Sequence, residues 1–408
     1  MKKEISFFLE YSYFANFVPK IKSPKVFSKF DFSLKGLDEI KSEFYFNLME
    51  VIEKSISKYP KEKKIVVPLS GGLDSRAILC ALLSFLEKDR IITYTFGVPG
   101  SYDFEIGKEI ARVAGVINHP INLKEEKYTI SGLKKMAKLS DYQTFLFHNP
   151  PVESLQRIIE DNVVFSGYLG DLIFGSYSQY SNIKDSESIN WYLEKERSRI
   201  GTPINGDYLK KFIEPIDSKS IISPVEQLIL YERAPKLTAP HILLNGINYE
   251  LPLIDYKIAK FMFSLPRSLR LKQKLFIEAM MQFFPKLFSM RSKTTYGKPL
   301  KTYNKSHLLV RSKNKLINSI NRNLKIDLPY PPRNYMNFDS DIIHRTDFSE
   351  IFHSSLSSLQ KRDILGGIKP LEIYSQHEIT RSLSMQLINL VSLEIILQAR
   401  DDENSISI

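Results

Sequence analysis

Apolar positions along the chain alternate between two spacings. Residues 37–59 place Ile40, Phe44, Phe46, Leu48, Val51, Ile52 and Ile56 near helical spacing among charged residues, which predicts an amphipathic helix. Residues 64–68 are a short run rich in β-branched residues, and an Ala/Leu-rich stretch follows over 76–83, so a buried strand is predicted to run into a helix. The alternation repeats with a strand at 91–96 ending on Gly97, a helix at 104–114 and a strand at 116–123. Pro150 and Pro151 then open a helix at 152–159, which feeds a strand at 162–165. Strands separated by helices at this spacing predict an α/β fold with a doubly wound parallel sheet.

The flanks are less regular. Residues 1–36 are aromatic and turn-rich (Phe7, Phe8, Tyr11, Tyr13, Phe14, Phe17, then Pro19 and Pro24) and read as a short extended segment packed on something larger. Residues 178–221 are polar helix and loop around the single tryptophan, Trp191. Helices are expected from about 256 to Phe263 and over 272–284. The region 300–408 reads as mostly helical, with Tyr330-Pro331-Pro332 near its start and a strong helix at 377–399. The expected organisation is 1–36, 37–299 and 300–408.

Composition adds limits. With 408 residues, 43% hydrophobic and 25% charged, the chain is neither disordered nor fibrous. A lone cysteine, Cys80, allows no internal disulfide framework and suggests a reducing compartment, so the expected location is cytoplasmic. Glu4 and Glu10 interrupt the first apolar run, which argues against a signal peptide, and no stretch has the apolar length of a membrane helix. The net charge of +11 is concentrated in residues 291–325, which hold ten Lys or Arg and no acid. That run is expected to be a solvated basic face, with nucleic acid as the alternative partner.

The chemistry concentrates at two turns. Ser70-Gly71-Gly72-Leu73-Asp74-Ser75 lies between the first predicted strand and its helix, at the sheet edge where open α/β folds bind ligands. Glycines there admit close backbone approach, while hydroxyls and helix-start N–H groups offer donors suited to pyrophosphate. Asp74 suits a Mg²⁺ ion bridging phosphates. No Gly-Lys-Ser/Thr follows, which excludes a Walker loop. A second polar glycine turn, Ser166-Gly167-Tyr168-Leu169-Gly170-Asp171, ends a strand of the same sheet and supplies another acid, Asp171. His119 is expected to be structural or exposed, and Asp255 to be a helix cap or a site residue with equal weight.

Ser70 to Ser75 resembles the PP-loop of ATP pyrophosphatases. The wider chain, from about residue 64 to 299, resembles the synthetase domain of asparagine synthetases. The matches, in order, are Phe96-Gly97-Val98-Pro99-Gly100-Ser101 with Asp103, Ser166-Gly167 with Asp171, and Phe174-Gly175-x-Tyr177. Pro252-Leu253-Ile254-Asp255, Leu265-Pro266, Lys274 and Arg291-Ser292-Lys293 leading to Gly297 and Pro299 complete them.

The resemblance implies an adenine nucleotide α-hydrolase-like fold with helical C-terminal additions, and an ATP- and Mg²⁺-dependent ligase. Such an enzyme adenylates a carboxylate, aspartate by default, releases pyrophosphate and lets an amine or ammonia form an amide. It would assign Ser70, Gly71, Gly72, Asp74 and Ser75 to pyrophosphate and metal, Leu69, Phe96, Ser166 and Gly167 to adenine and ribose, Asp171 to the metal, and Lys274 to charge on the α-phosphate.

Three departures bear on substrate. Residue 2 is Lys rather than the cysteine of a glutaminase domain, and too few residues precede the loop to hold one, so free ammonia, a separate glutaminase partner or another amine is expected. Tyr168 replaces a glutamate and is similar to the tyrosine of β-lactam synthetases. It would act as a base if a carboxylate such as Glu226, Glu232 or Glu250 stood beside it. Glu250 itself stands near a family arginine, which weakens the case for aspartate. The alternatives are a different amide, an RNA-modifying PP-loop enzyme and a non-catalytic nucleotide-binding relative.

Overall fold

The computed structural model describes residues 2–26, 28, 32, 35–197, 200, 204–300, 306–324 and 335–406. Tyr330-Pro331-Pro332 lies outside the described residues. Five strands, β1 (Ile65–Pro68), β2 (Ile91–Gly97), β3 (Ile117–Asn122), β4 (Val163–Phe165) and β5 (Asn248–Glu250), form one sheet in the order β3-β2-β1-β4-β5. Every pairing is parallel, with Ile65 opposite both Ile91 and Val163. The chain winds outward from β1 to β3 and then returns to the other side of β1. The switch point therefore falls between β1 and β4, where the two glycine turns leave the sheet.

Strand alternation divides the apolar side chains between two cores. Ile65, Val67, Val163 and Phe165 face one with α2 (Leu37–Ile56), α3 (Asp74–Leu82), α4 (Tyr102–Ala114) and the helices Tyr256–Ser264 and Lys274–Phe283. Val66, Tyr94, Ile121 and Val164 face the other with α5 (Ile130–Leu139), α6 (Val152–Ile159) and the helices Phe338–His344, Thr346–Lys361 and Ser384–Ile406. The C-terminal helices thus share one face of the sheet with α5 and α6.

Three expectations change. Residues 1–36 are not simply extended, because Lys3–Tyr11 is a helix, α1. Its Phe7 and Tyr11 enter one core while Ile5, Phe8 and Leu9 enter the other, so a helix apolar on every side is buried on every side. The helix expected at 377–399 is two, Pro370–Thr380 and Ser384–Ile406. Arg381 turns left-handed (φ 49°) and the Leu383 N–H donates to His377 Nδ1 at 3.0 Å. Asn248–Glu250, for which no strand is expected, is the fifth strand. No described helix is long and apolar enough to cross a membrane.

Candidate active site

The first turn runs from the end of β1 into α3, and its shape is set by its own side chains. Ser75 Oγ accepts the Ser70 N–H at 3.3 Å, Ser70 Oγ accepts the Gly72 N–H at 3.2 Å, and Asp103 Oδ1 accepts the Gly71 N–H at 3.1 Å. Leu69, buried beneath the turn, donates its N–H to the Tyr94 carbonyl at 2.8 Å. The second turn leaves β4, where the Ser166 N–H donates to the Glu250 carbonyl at 3.0 Å, and ends in the four-residue helix α7 (Gly170–Ile173). Leu169 sits there in the left-handed region (φ 59°), a strained state for a branched residue.

The two turns meet at Asp74. Asp171 donates its N–H to Asp74 Oδ2 at 3.0 Å. Glycine is required on the approach, since a Cβ on Gly167 would lie 2.9 Å from Asp74 Cβ, and one on Gly170 would lie 2.7 Å from Asp74 Cγ and 2.6 Å from Leu253 Cδ1. Burial, then the neighbouring Asp171 charge, pushes the Asp74 carboxyl well above the usual range. Burial also raises Asp171, with the Leu172 N–H, Arg233 and Lys293 pulling it back. Two crowded carboxylates that resist ionising together fit a hard divalent cation, which would favour both charges. Among the described residues no group of three or more His, Cys, Asp or Glu gathers. A pair of acids would suit Mg²⁺ whose coordination is completed by substrate oxygens.

The cation at the first turn is Lys293, which the sequence reading quoted in a motif but gave no role. Its Nζ lies 2.9 Å from Asp103 Oδ1, its N–H donates to the Gly71 carbonyl at 3.0 Å, and Ser292 Oγ donates to the same carbonyl at 3.1 Å. Its charge reaches Asp74 and Asp171. Arg76, fully buried on α3, fixes this segment by donating to the carbonyls of Leu287 (3.2 Å) and Arg291 (2.8 Å). Arg291 itself pairs with Glu109, so two members of the expected solvated basic face are engaged around the site.

Lys274, chosen from sequence, is exposed at the first position of its helix and makes no hydrogen bond or ion pair among the described residues. Its neighbour Gln273 reaches the Asp171 carbonyl at 3.5 Å.

Tyr168 corrects a second expectation. Its hydroxyl donates to the Ala234 carbonyl at 3.0 Å, and burial raises its pKa. The three candidate carboxylates are committed elsewhere. Glu226 pairs with Arg270 at 2.6 Å and Glu250 with Lys58 at 2.7 Å. Glu232, pushed up to about 7 by burial against the pull of Lys236, accepts from Tyr13 at 3.0 Å and pairs with Lys236 at 2.7 Å. Tyr168 therefore packs the π-helix Ile229–Thr238 against the second turn, and among the described residues its hydroxyl has no carboxylate partner. Asp255 caps Tyr256–Ser264 through the Lys257 N–H at 2.8 Å, and His119 is exposed on β3. Phe96, at the end of β2, meets the Tyr335 ring at 5.4 Å.

Residues 48–219 match the asparagine synthase family model. A probable glutamine-hydrolyzing asparagine synthetase of Acanthamoeba polyphaga mimivirus is 22% identical over 277 residues, covering 66% of this chain and 44% of the relative. The glutamine-hydrolyzing asparagine synthetase of Mesocricetus auratus is 22% identical over 246 residues, 57% of this chain and 37% of the relative. A 7-cyano-7-deazaguanine synthase of a Sulfurihydrogenibium strain is 36% identical over 59 residues, 14% of this chain and 27% of the relative. The chain spans less than half the length of these relatives.

Proposed function

We propose, from the match of residues 48–219 to the asparagine synthase family model, that the chain is an ATP-dependent amide-forming ligase that adenylates a carboxylate. The observation that carries the reading is the convergence of Asp74 and Asp171 across two glycine turns, with Lys293 beside them. Ser70, Gly71, Gly72 and Ser75 line the pyrophosphate portion of ATP, with the Ser70 and Ser75 hydroxyls as donors, while Leu69, Phe96, Ser166 and Gly167 border adenine and ribose.

Asp74 and Asp171 would hold Mg²⁺, which neutralises phosphate charge when bound. The substrate carboxylate oxygen attacks the α-phosphorus, and the bond to pyrophosphate breaks. Lys293, fixed before substrate arrives by Asp103 and the Gly71 carbonyl, supplies a positive charge toward the departing group, the part first given to Lys274. An amine then attacks the acyl carbon and releases AMP. Aspartate is the first carboxylate to try, and ammonia, from solution or a separate glutaminase, is the first amine.

The test is exchange of labelled pyrophosphate into ATP with Mg²⁺ and a panel of the twenty protein amino acids, free and N-acetylated. Exchange with one carboxylate, lost in Asp74→Ala, is expected. No exchange across the panel, or exchange that survives Asp74→Ala, sinks the reading.

A further inference from the structure

Displacing Tyr168 from catalysis leaves the attacking amine without a proton acceptor, and two histidines, on the turn Leu146–His148 and the helix Ala239–Ile242, are used by no step. His148 and His241 stack with ring centroids 4.7 Å apart, and Phe145 lies 3.6 Å from the His148 ring. His241 Nδ1 donates to the Leu237 carbonyl at 2.8 Å, which leaves its Nε2 with a lone pair. The Asn149 side chain fixes the backbone beneath it, donating to the His241 carbonyl at 2.7 Å. His148 Nδ1 is bonded to the Tyr335 hydroxyl. Neither Nε2 has a protein partner among the described residues, and both rings are half-buried.

Two residues connect the pair to the site already described. Tyr335 links it to the nucleotide side, its ring against Phe96 and its carbonyl accepting the Val98 N–H at 2.7 Å. Arg233, from the π-helix, links it to the second turn, since its charge acts on Asp171 and on both imidazoles. Among the described residues, Arg233, itself paired with Glu196 at 2.8 Å, and Tyr335 are the charged and titratable groups that face the rings, apart from the rings themselves. Burial, then neighbouring positive charge, holds both rings below the usual histidine range, His241 at about 4, so each is a neutral acceptor at neutral pH.

We propose that the side chains of Phe145, His148, His241 and Tyr335 receive the amine substrate in its uncharged form, and that His241 Nε2 takes its proton. The inference rests on the ligase reading above. The amine lone pair forms the C–N bond, the acyl C–O bond to AMP breaks, and one N–H proton passes to Nε2 and then to solvent. Bonding to the acyl carbon makes the nitrogen strongly acidic, so an imidazole of low basicity suffices. The Arg233 charge disfavours a protonated amine.

The test compares nucleophiles on the carboxylate found by the exchange panel. His241→Phe keeps a stacking ring and removes the acceptor, and His241→Asn serves as a second variant. Hydroxylamine, largely unprotonated at neutral pH, reports whether the acyl-adenylate is formed and open to attack. Both variants are expected to keep pyrophosphate exchange and hydroxamate formation, and to lose amide formation from ammonia by about 10²- to 10⁴-fold. Undiminished ammonia-dependent synthesis overturns the inference. So does loss of exchange and hydroxamate together, which marks a structural role, and so does a wild type that forms hydroxamate but no amide from ammonia or any amino acid. Absence of exchange in the wild type removes the ligase reading and this inference with it, a result distinct from the others.

Discussion

Gly170→Ala tests whether the two turns are held together as tightly as the distances imply. Position 170 has an ordinary helical backbone, so alanine carries no left-handed penalty and by chain entropy alone would stabilise by about 0.4–1 kcal/mol. Sterics oppose this, because the new methyl would lie 2.6 Å from Leu253 Cδ1 and 2.7 Å from Asp74 Cγ. Leu253 is fully buried and cannot swing clear. Overpacking of this kind costs about 1–3 kcal/mol, so the net expectation is a loss of about 1–2 kcal/mol.

The displaced neighbour that can move is the Asp74 carboxylate, and moving it separates the pair expected to hold Mg²⁺. Urea unfolding should show the lower midpoint at unchanged slope, and calorimetric titration of ATP should show weakened dependence on Mg²⁺. A variant as stable as wild type, with the same Mg²⁺-dependent ATP affinity, would refute the claim that glycine is needed for the turns to meet.

Three further outcomes follow from the same geometry. In the exchange assay, Lys293→Ala should lower the rate by about 10²- to 10³-fold while Lys274→Ala has the smaller effect; the reverse order would return the role to Lys274. Asp74→Asn should raise stability at neutral pH while removing the thermal shift given by Mg²⁺ with ATP, read by melting curves. The sign follows from the raised Asp74 and Asp171 carboxyls: the folded state holds their protons more tightly than the unfolded chain. Wild-type stability from this source is therefore highest below the ordinary carboxylate range and falls as pH rises toward the raised values, and the variant should lose part of that slope. Arg76→Ala should cost about 3 kcal/mol or more in urea unfolding, because it empties a fully buried site and removes the side-chain donors to the carbonyls of Leu287 and Arg291; Arg76→Lys, with one ammonium in place of the fork, should restore only part.

The central strands were legible because a parallel strand buried on both faces must be apolar throughout, and 65–67 and 163–165 are. β5 was not, since Asn248-Tyr249-Glu250 is an edge strand only partly buried, recruited by pairing with β4 rather than by its own pattern. Both turns announced themselves as contiguous glycine-bearing motifs. Lys293 did not, because its role comes from a backbone contact with Gly71 far earlier in the chain, and choosing between two lysines needs that contact. Tyr168 misled for a related reason: sequence fixes its place in the turn but not the direction of its hydroxyl. The histidine pair had no signal at all, as His148 and His241 belong to different segments joined only by packing.

The Gly71 carbonyl takes two donors, from Lys293 and Ser292, while the loop's own N–H groups rest on Ser70, Ser75 and Asp103. A loop braced on both sides by the protein is preorganised, so a phosphate chain arriving there meets a formed cradle and little backbone entropy is lost on capture. Affinity for the nucleotide would then depend less on contacts made after docking than on how rigidly that cradle waits.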